Sequence, residues 1–139
     1  MCIRDRVKTL SYAVNVAALR YAQSQGADDV IFTSTDGYLL EGPTSGLVIE
    51  AADGLWTTPT GTTGILGSIT VSTVFDAAGE DGGKTSTRLM KRDEVLRAQG
   101  AWLLSSVRGV APILSVDGHP APQDEDMTHR LRAWAGFEN

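Results

Sequence analysis

The pattern of apolar and polar positions divides the chain into short helices and short strands. Apolar residues recur at helical spacing over residues 12–25, ending at a glycine, and again over residues 68–78 before a glycine-rich break. A shorter helix is predicted over residues 92–98, and the tail over residues 124–134 has the same character. The sequence therefore predicts four helices.

Two hairpins are predicted between the first two helices. The β-prone runs 30–32 and 38–40 flank an Asp-Gly turn dipeptide, whose glycine readily takes a positive φ. The runs 46–49 and 55–57 flank a second Asp-Gly dipeptide in the same way, and we expect this pair to extend the same sheet.

Two further strands are predicted after the third helix, at residues 102–105 and 113–116. Hairpins that are interrupted by single helices favour a mixed α+β domain, whereas a regular alternation of strand and helix would predict a parallel sheet. The predicted fold class is therefore α+β, with helices packed on a mixed sheet of hairpins.

Composition and charge narrow the class of partner. The chain has 139 residues, 42% of them hydrophobic, which is enough for one buried core. Its 12 Lys and Arg against 17 Asp and Glu leave a net charge of -5, which does not suit a nucleic-acid backbone. No apolar run approaches the ~20 residues that span a bilayer, so a cytoplasmic location is expected. The single cysteine, Cys2, predicts neither a disulfide nor a metal site.

Two charged residues stand at positions that could carry chemistry. Lys8 lies between apolar and hydroxyl residues just before the first predicted helix. It is either a solvated surface lysine or, if buried, an uncharged nucleophile. Glu41 follows the run 38–40 and enters the turn-rich loop 42–46, where an acidic residue is either simply exposed or functional.

A glycine and hydroxyl loop opens onto the second predicted helix. Residues 64–70 read Gly-Ile-Leu-Gly-Ser-Ile-Thr. Free backbone N–H groups and the positive end of a helix can hold an anion at such a place. The alternative is simple capping of the helix by Ser68, and the loop lacks the glycine and lysine pattern of nucleotide sites.

These features occur in an order that resembles the class IV aminotransferase and aminodeoxychorismate lyase family, whose members use pyridoxal 5'-phosphate (PLP). The resemblance covers most of residues 8–118. It is carried by Lys-x-Leu-Ser-Tyr at residues 8–12, Gly-Ala-Asp-Asp-Val-Ile-Phe at 26–32, Asp-Gly-Tyr-Leu-Leu-Glu-Gly at 36–42, Thr-Thr-Pro at 57–59 and Ser-Ser-Val-Arg-Gly-Val-Ala-Pro at 105–112. It implies the C-terminal large domain of a fold-type IV PLP enzyme, similar to D-amino acid aminotransferase.

The resemblance also implies the cofactor-binding residues. Lys8 matches the Schiff-base lysine, which is also the catalytic base, and Glu41 matches the carboxylate that hydrogen-bonds the pyridine nitrogen. Ile69 and Thr70 match the phosphate-binding start of a helix, and Ser106 matches a hydroxyl residue that also holds the phosphate.

Ser105 and Arg108 lie where the family builds the wall near the substrate carboxylate. Arg108 is either a clamp for a second carboxylate or a surface ion-pair residue. With the loop 40–45, this segment is more similar to aminodeoxychorismate lyases than to branched-chain enzymes. The first expectation for the parent reaction is therefore conversion of 4-amino-4-deoxychorismate to 4-aminobenzoate and pyruvate. The alternatives are transamination of D-amino or branched-chain amino acids, and a non-catalytic binding domain.

The sequence departs from the family pattern at two positions, with Gly46 in place of an asparagine and Val71 in place of an arginine. Residues 1–6 resemble nothing in the family and are interpreted as a non-family leader, whereas residues 7–139 are assigned to the PLP-binding domain. Family members have a smaller N-terminal domain with a phosphate-binding arginine, which we expect to be missing here. The hypothesis is that the chain alone binds PLP weakly and is inactive; the resemblance also implies a homodimer.

Overall fold

The computed structural model describes residues 13–137, and a five-stranded mixed sheet lies at its centre. The described residues also form four helices, and none of these is long and apolar enough to cross a membrane. The helices are α1 (Ala13–Ser24), α2 (Ile69–Glu80), α3 (Arg92–Arg97) and α4 (Glu125–Ala135). The strands are β1 (Gly46–Ala51), β2 (Gly54–Thr57), β3 (Thr85–Thr87), β4 (Gly100–Ser105), β5 (Gly109–Pro112), β6 (Ser115–Val116) and β7 (His119–Pro120).

The large sheet has the order β3-β2-β1-β4-β5, with β1 in the middle. The β1–β2 hairpin, the β1–β4 pair and the β4–β5 pair are antiparallel, whereas β3 runs parallel to β2. The β1–β2 turn uses Gly54 at a φ of 130°, where the carbonyl of Lys84 leaves no room for a side chain. The remaining strands, β6 and β7, form a separate small hairpin.

Alternation along β1 and β4 builds an apolar core on each face of the sheet. On one face Leu47 and Leu103 pack with Met90 and with residues of α3. On the other face Val48 and Trp102 pack against α2 and α4, and the indole Nε1 of Trp102 donates a 2.8 Å hydrogen bond to the Thr128 hydroxyl. Because both faces are covered, nearly every residue of β1 and β4 is buried.

The predicted α+β class and all four helices are confirmed. Helix α2 extends two residues beyond the predicted end at Ala78, and Asp124 is the N-cap of α4, its carboxylate accepting from the Met127 N–H at 2.9 Å. Both ends differ because the apolar pattern does not show where a helix is capped.

Two strand predictions differ from the structure, and strand β3 was not predicted. Residues 30–40 form a hairpin-like ladder, but they contact Met90 and Lys91 and do not join the large sheet. The last strand of that sheet is β5, residues 109–112, because the chain turns back directly after β4. Of the predicted strand 113–116, only residues 115–116 are in a strand, and they pair with β7 in the small hairpin. Strand β3 was missed, since its three residues are all exposed and carry no apolar signal.

One carboxyl group is buried under α4. Glu50 of β1 is 8% exposed, and its Oε2 atom has no hydrogen-bond partner among the described residues. Burial, followed by the neighbouring Asp124 carboxylate, raises the pKa of Glu50 to about 7, while Arg130 acts in the opposite direction. A raised pKa in the folded state means that Glu50 favours folding below its ordinary pKa of 4.5 and loses this contribution as the pH rises towards 7.

We expect Glu50→Gln to stabilise the chain at pH 8 and to change little at pH 5. The amide carries no charge to desolvate and can donate a hydrogen bond to Asp124, so the free energy of unfolding should rise by roughly 1–2 kcal/mol at pH 8. Denaturant unfolding at both pH values measures this. Glu80→Gln, at the exposed end of α2, is the control and should have no such pH dependence. Equal effects of the two substitutions at both pH values would contradict the account.

Candidate functional site

The first turn of α2 leaves two backbone N–H groups available. The Ser68 hydroxyl caps the helix by accepting from the Val71 N–H at 3.1 Å, and the Ser68 carbonyl accepts from the Ser72 N–H. Among the described residues, the N–H groups of Ile69 and Thr70 have no hydrogen-bond partner. Capping and anion binding are therefore compatible here, because the cap uses a different N–H from those an anion would bind.

Gly46 brings this turn against the middle of the sheet. A Cβ at Gly46 would lie 2.8 Å from Val71 Cγ2 and 3.0 Å from Ser68 Cβ, so only glycine allows this approach. Gly46 also pairs with Leu104, the residue before Ser105 in β4. The start of β1, the end of β4 and the start of α2 thus meet at one place.

Glu41 reaches the same region from the loop before β1. Its backbone carbonyl accepts from the Phe32 N–H at 2.9 Å, which fixes the chain direction as the ladder ends. Its carboxylate Oε1 accepts from the Leu66 N–H at 3.3 Å, in the loop that leads to α2. Glu41 is half-buried and makes a further contact, so its side chain is held in place.

The loop after Glu41 is also tied to α1. Gly42 and Ser45 close a turn through a 2.9 Å backbone hydrogen bond, and the Asn15 side-chain amide donates to the Pro43 carbonyl at 2.8 Å. The Ser45 hydroxyl oxygen is buried and has no partner among the described residues. Sequence reasoning missed Asn15, because a single polar residue on an amphipathic helix carries no signal for a contact 28 positions away.

Ser106, predicted to bind phosphate, and Ser105 and Arg108, predicted to bind substrate, lie at the turn between β4 and β5. Ser105 is buried and its hydroxyl accepts from the Arg108 N–H at 3.0 Å, so it shapes the turn, whereas Ser106 is exposed. The Arg108 side chain is half exposed and its Nη1 lies 2.8 Å from Asp29 Oδ2. Asp29 was not predicted to belong to the site, and it orients Arg108 across 79 positions of sequence.

The start of α2 and the end of β4 therefore meet at Gly46, and the Glu41 carboxylate is bonded to the loop that leads into α2. Ile69 is part of this region only through its N–H, since its side chain is 82% exposed. Lys8 lies outside the described residues. The groups fit PLP chemically: an anchored carboxylate suits a pyridine nitrogen, and the N–H groups of Ile69 and Thr70 suit a phosphate.

Comparison with known proteins identifies the family of the chain. The family profile described as amino-transferase class IV matches residues 2–116. A bifunctional aminodeoxychorismate lyase / D-amino acid transaminase of Mycobacterium tuberculosis is 43% identical over 123 residues, which is 84% of this chain and 42% of that protein. The chain therefore belongs to the class IV aminotransferase family.

Solved structures agree with the fold. A fold IV-transaminase from Curtobacterium pusillum superposes with a TM-score of 0.86 at 44% identity, over 97% of this chain and 46% of that one. The PLP-bound form of a hypothetical aminotransferase from Mycobacterium tuberculosis has a TM-score of 0.86 at 40% identity, over 92% of this chain and 46% of that one. The predicted fold-type IV architecture is confirmed, and the chain spans less than half the length of these relatives.

We expect Gly46→Ala to destabilise the chain because the new methyl group would push the first turn of α2 away from β1. The free energy of unfolding should fall by roughly 1–3 kcal/mol, as for other overpacked positions. Gly61→Ala is the matched control, since a Cβ at Gly61 meets nothing within 4 Å. Denaturant unfolding of both variants measures the difference, and equal stabilities would show that the close approach at Gly46 does not matter.

Proposed function

We propose that this chain forms the PLP-binding part of a class IV enzyme, with Lys8 as the residue that attaches the cofactor. The observation that carries the proposal is the meeting of the first turn of α2 with the end of β4 at Gly46, together with the hydrogen bond from the Leu66 N–H to the Glu41 carboxylate. Family membership argues against a non-catalytic binding domain, because these groups have the chemistry the family uses.

Each residue has a stated role in this proposal. The Ile69 and Thr70 N–H groups, the Thr70 hydroxyl and the Ser106 hydroxyl hold the phosphate. Glu41 keeps a proton on the pyridine nitrogen, and its bond to the Leu66 N–H fixes the carboxylate for that contact. When bound, PLP supplies an electron sink for the pair left when a bond to the substrate α-carbon breaks. Lys8 moves the proton to and from that carbon.

For the parent reaction we propose an aminodeoxychorismate lyase, acting on a substrate with two carboxylates. Arg108 supports this choice. Its guanidinium is half exposed and donates one N–H to Asp29, so its other N–H donors can bind a carboxylate. Ser105 acts through the turn, by holding the Arg108 backbone. The second candidate is a D-amino acid transaminase, because the relative from Mycobacterium tuberculosis is named for both the lyase and the D-amino acid transaminase activity.

Several properties of the whole protein stay proposals. We propose that residues 7–139 form the cofactor domain. The chain spans 42% of its bifunctional relative, and we propose that it binds PLP weakly and does not turn over without the rest of the pocket. A homodimer and a cytoplasmic location also stay predictions.

The cofactor site is tested by trapping PLP on the chain. Borohydride reduction of the chain with PLP, followed by mass mapping, should place the modification on Lys8 and lose it in Lys8→Ala. Glu41→Gln should keep the modification but shift the absorption of bound PLP, because the pyridine nitrogen loses its anionic partner. Lys84→Ala, at an exposed lysine, is the control and should leave the modification on Lys8. A modification spread over several lysines would contradict the assignment.

The reaction is tested on a longer polypeptide that contains this sequence. We expect 4-aminobenzoate and pyruvate to form from 4-amino-4-deoxychorismate without any 2-oxo acid. Arg108→Gln should lower kcat/KM for this dicarboxylate by roughly 10–100-fold and for D-alanine far less, because only the dicarboxylate loses a charged partner. Arg97→Gln, on the exposed side of α3, is the control. Strict dependence on a 2-oxo acid would favour the transaminase.

A further inference from the structure

A cavity that is open to solvent lies between the β4–β5 turn and the end of α4. Its volume is about 300 Å³, at the lower end of the range for small-molecule sites. It is lined by Val107, Arg108, Gly109, Val110, Arg132 and Phe137. Glu41, Thr70 and Ser106 do not line it, whereas Arg108 belongs both to this cavity and to the proposed substrate site.

Two guanidinium groups supply the polar part of this cavity. Arg108 uses Nη1 for Asp29, and Arg132 donates through Nη2 to the Val110 carbonyl at 3.5 Å, a long hydrogen bond. Within residues 13–137 no carboxylate forms an ion pair with Arg132. Since each guanidinium has five N–H donors, most of the donors of these two residues stay available to a ligand.

The C-terminal end of α4 repels an anion only weakly. Gly136 takes the left-handed conformation at a φ of 83°, and its N–H donates to the Ala133 carbonyl at 3.1 Å. The Phe137 N–H donates to the Arg132 carbonyl at 2.8 Å. These bonds occupy carbonyls of the last turn, which reduces the negative end of the helix, and they hold Phe137 in a defined position.

Apolar groups form the remaining walls. The Phe137 ring lies against Gly109, where a Cβ would be 3.6 Å from the ring, and Val110 is buried behind the turn. Val107 is 92% exposed and stands at the rim. A bare inorganic anion would leave these walls in contact with water, whereas a ligand with an apolar body would cover them.

We propose that this cavity binds a small organic anion, with its carboxylate at Arg132 and Arg108 and a planar apolar body against Phe137. Guanidinium groups bind carboxylates through paired N–H donors, and the aromatic ring matches a flat ligand. Arg108 is shared with the proposed substrate site, but Arg132 and Phe137 are not, so the proposal rests neither on the lyase reaction nor on PLP.

The test is a titration of the full chain with benzoate, followed by amide NMR and without PLP. We expect the amides of Val107 and Val110 to shift, with a Kd on the order of 1 mM. Arg132→Gln should weaken binding about tenfold or more. Arg130→Gln is the matched control, since Arg130 is on the same helix but lies over the Trp134 ring, 4.9 Å from its centroid. Its affinity for benzoate should not change.

A Phe137→Leu variant tests the role of the aromatic ring, and thermal unfolding checks that the variants are folded. Phe137→Leu should weaken benzoate binding several-fold without changing the binding of inorganic phosphate, and thermal unfolding should show that each variant is folded. Absence of any shift up to about 50 mM benzoate, well above the expected Kd, would overturn the proposal. Phosphate binding as tight as benzoate, or equal losses in the Arg130 and Arg132 variants, would also overturn it.

Discussion

The close approach of α2 to β1 at Gly46 is the constraint on which the rest of the structure depends. Without a side chain at this position, Val71 and Ser68 can lie directly on the sheet. Val71 is the first apolar residue of α2 in the core, and Val74 and Ala78 follow it at helical spacing against the same face. The contact therefore sets where α2 begins as well as how deeply it packs.

The same contact joins stability to the proposed chemistry. Helix α2 buries one side in the core, and its first turn lies against Gly46, where β1 pairs with the end of β4. The Glu41 carboxylate accepts a hydrogen bond from the Leu66 N–H, and Leu66 lies in the short loop directly before α2. A change that lifts the first turn of α2 off the sheet would disturb the core and the site together, since both depend on one packed interface.

Much of this could be predicted from the sequence, and what could not has identifiable causes. Apolar periodicity located all four helices, and the Asp-Gly turn located the β1–β2 hairpin. Strand β3 could not be found because its exposed residues have no alternation. The partners of Glu41 and Arg108 could not be found either, since Leu66 and Asp29 are contacts formed only by the tertiary structure.

The two departures from the family pattern are more informative together than apart. In the sequence, Gly46 and Val71 were separate differences from the usual asparagine and arginine. In the structure they face each other, and Val71 fills the space next to a residue with no side chain. A Cβ at position 46 would lie 2.8 Å from the Val71 Cγ2 atom, so the side chains that fit at these two positions depend on each other.

The most direct test of the central claim is a PLP titration of the chain followed by amide NMR. If Gly46 brings the start of α2 and the end of β4 together as one phosphate site, the amides of Ile69, Thr70 and Ser106 should shift together and give one common Kd. The amides of α3, on the other face of the sheet, should not move. Shifts confined to exposed lysine-containing segments, or different Kd values for Thr70 and Ser106, would contradict the account.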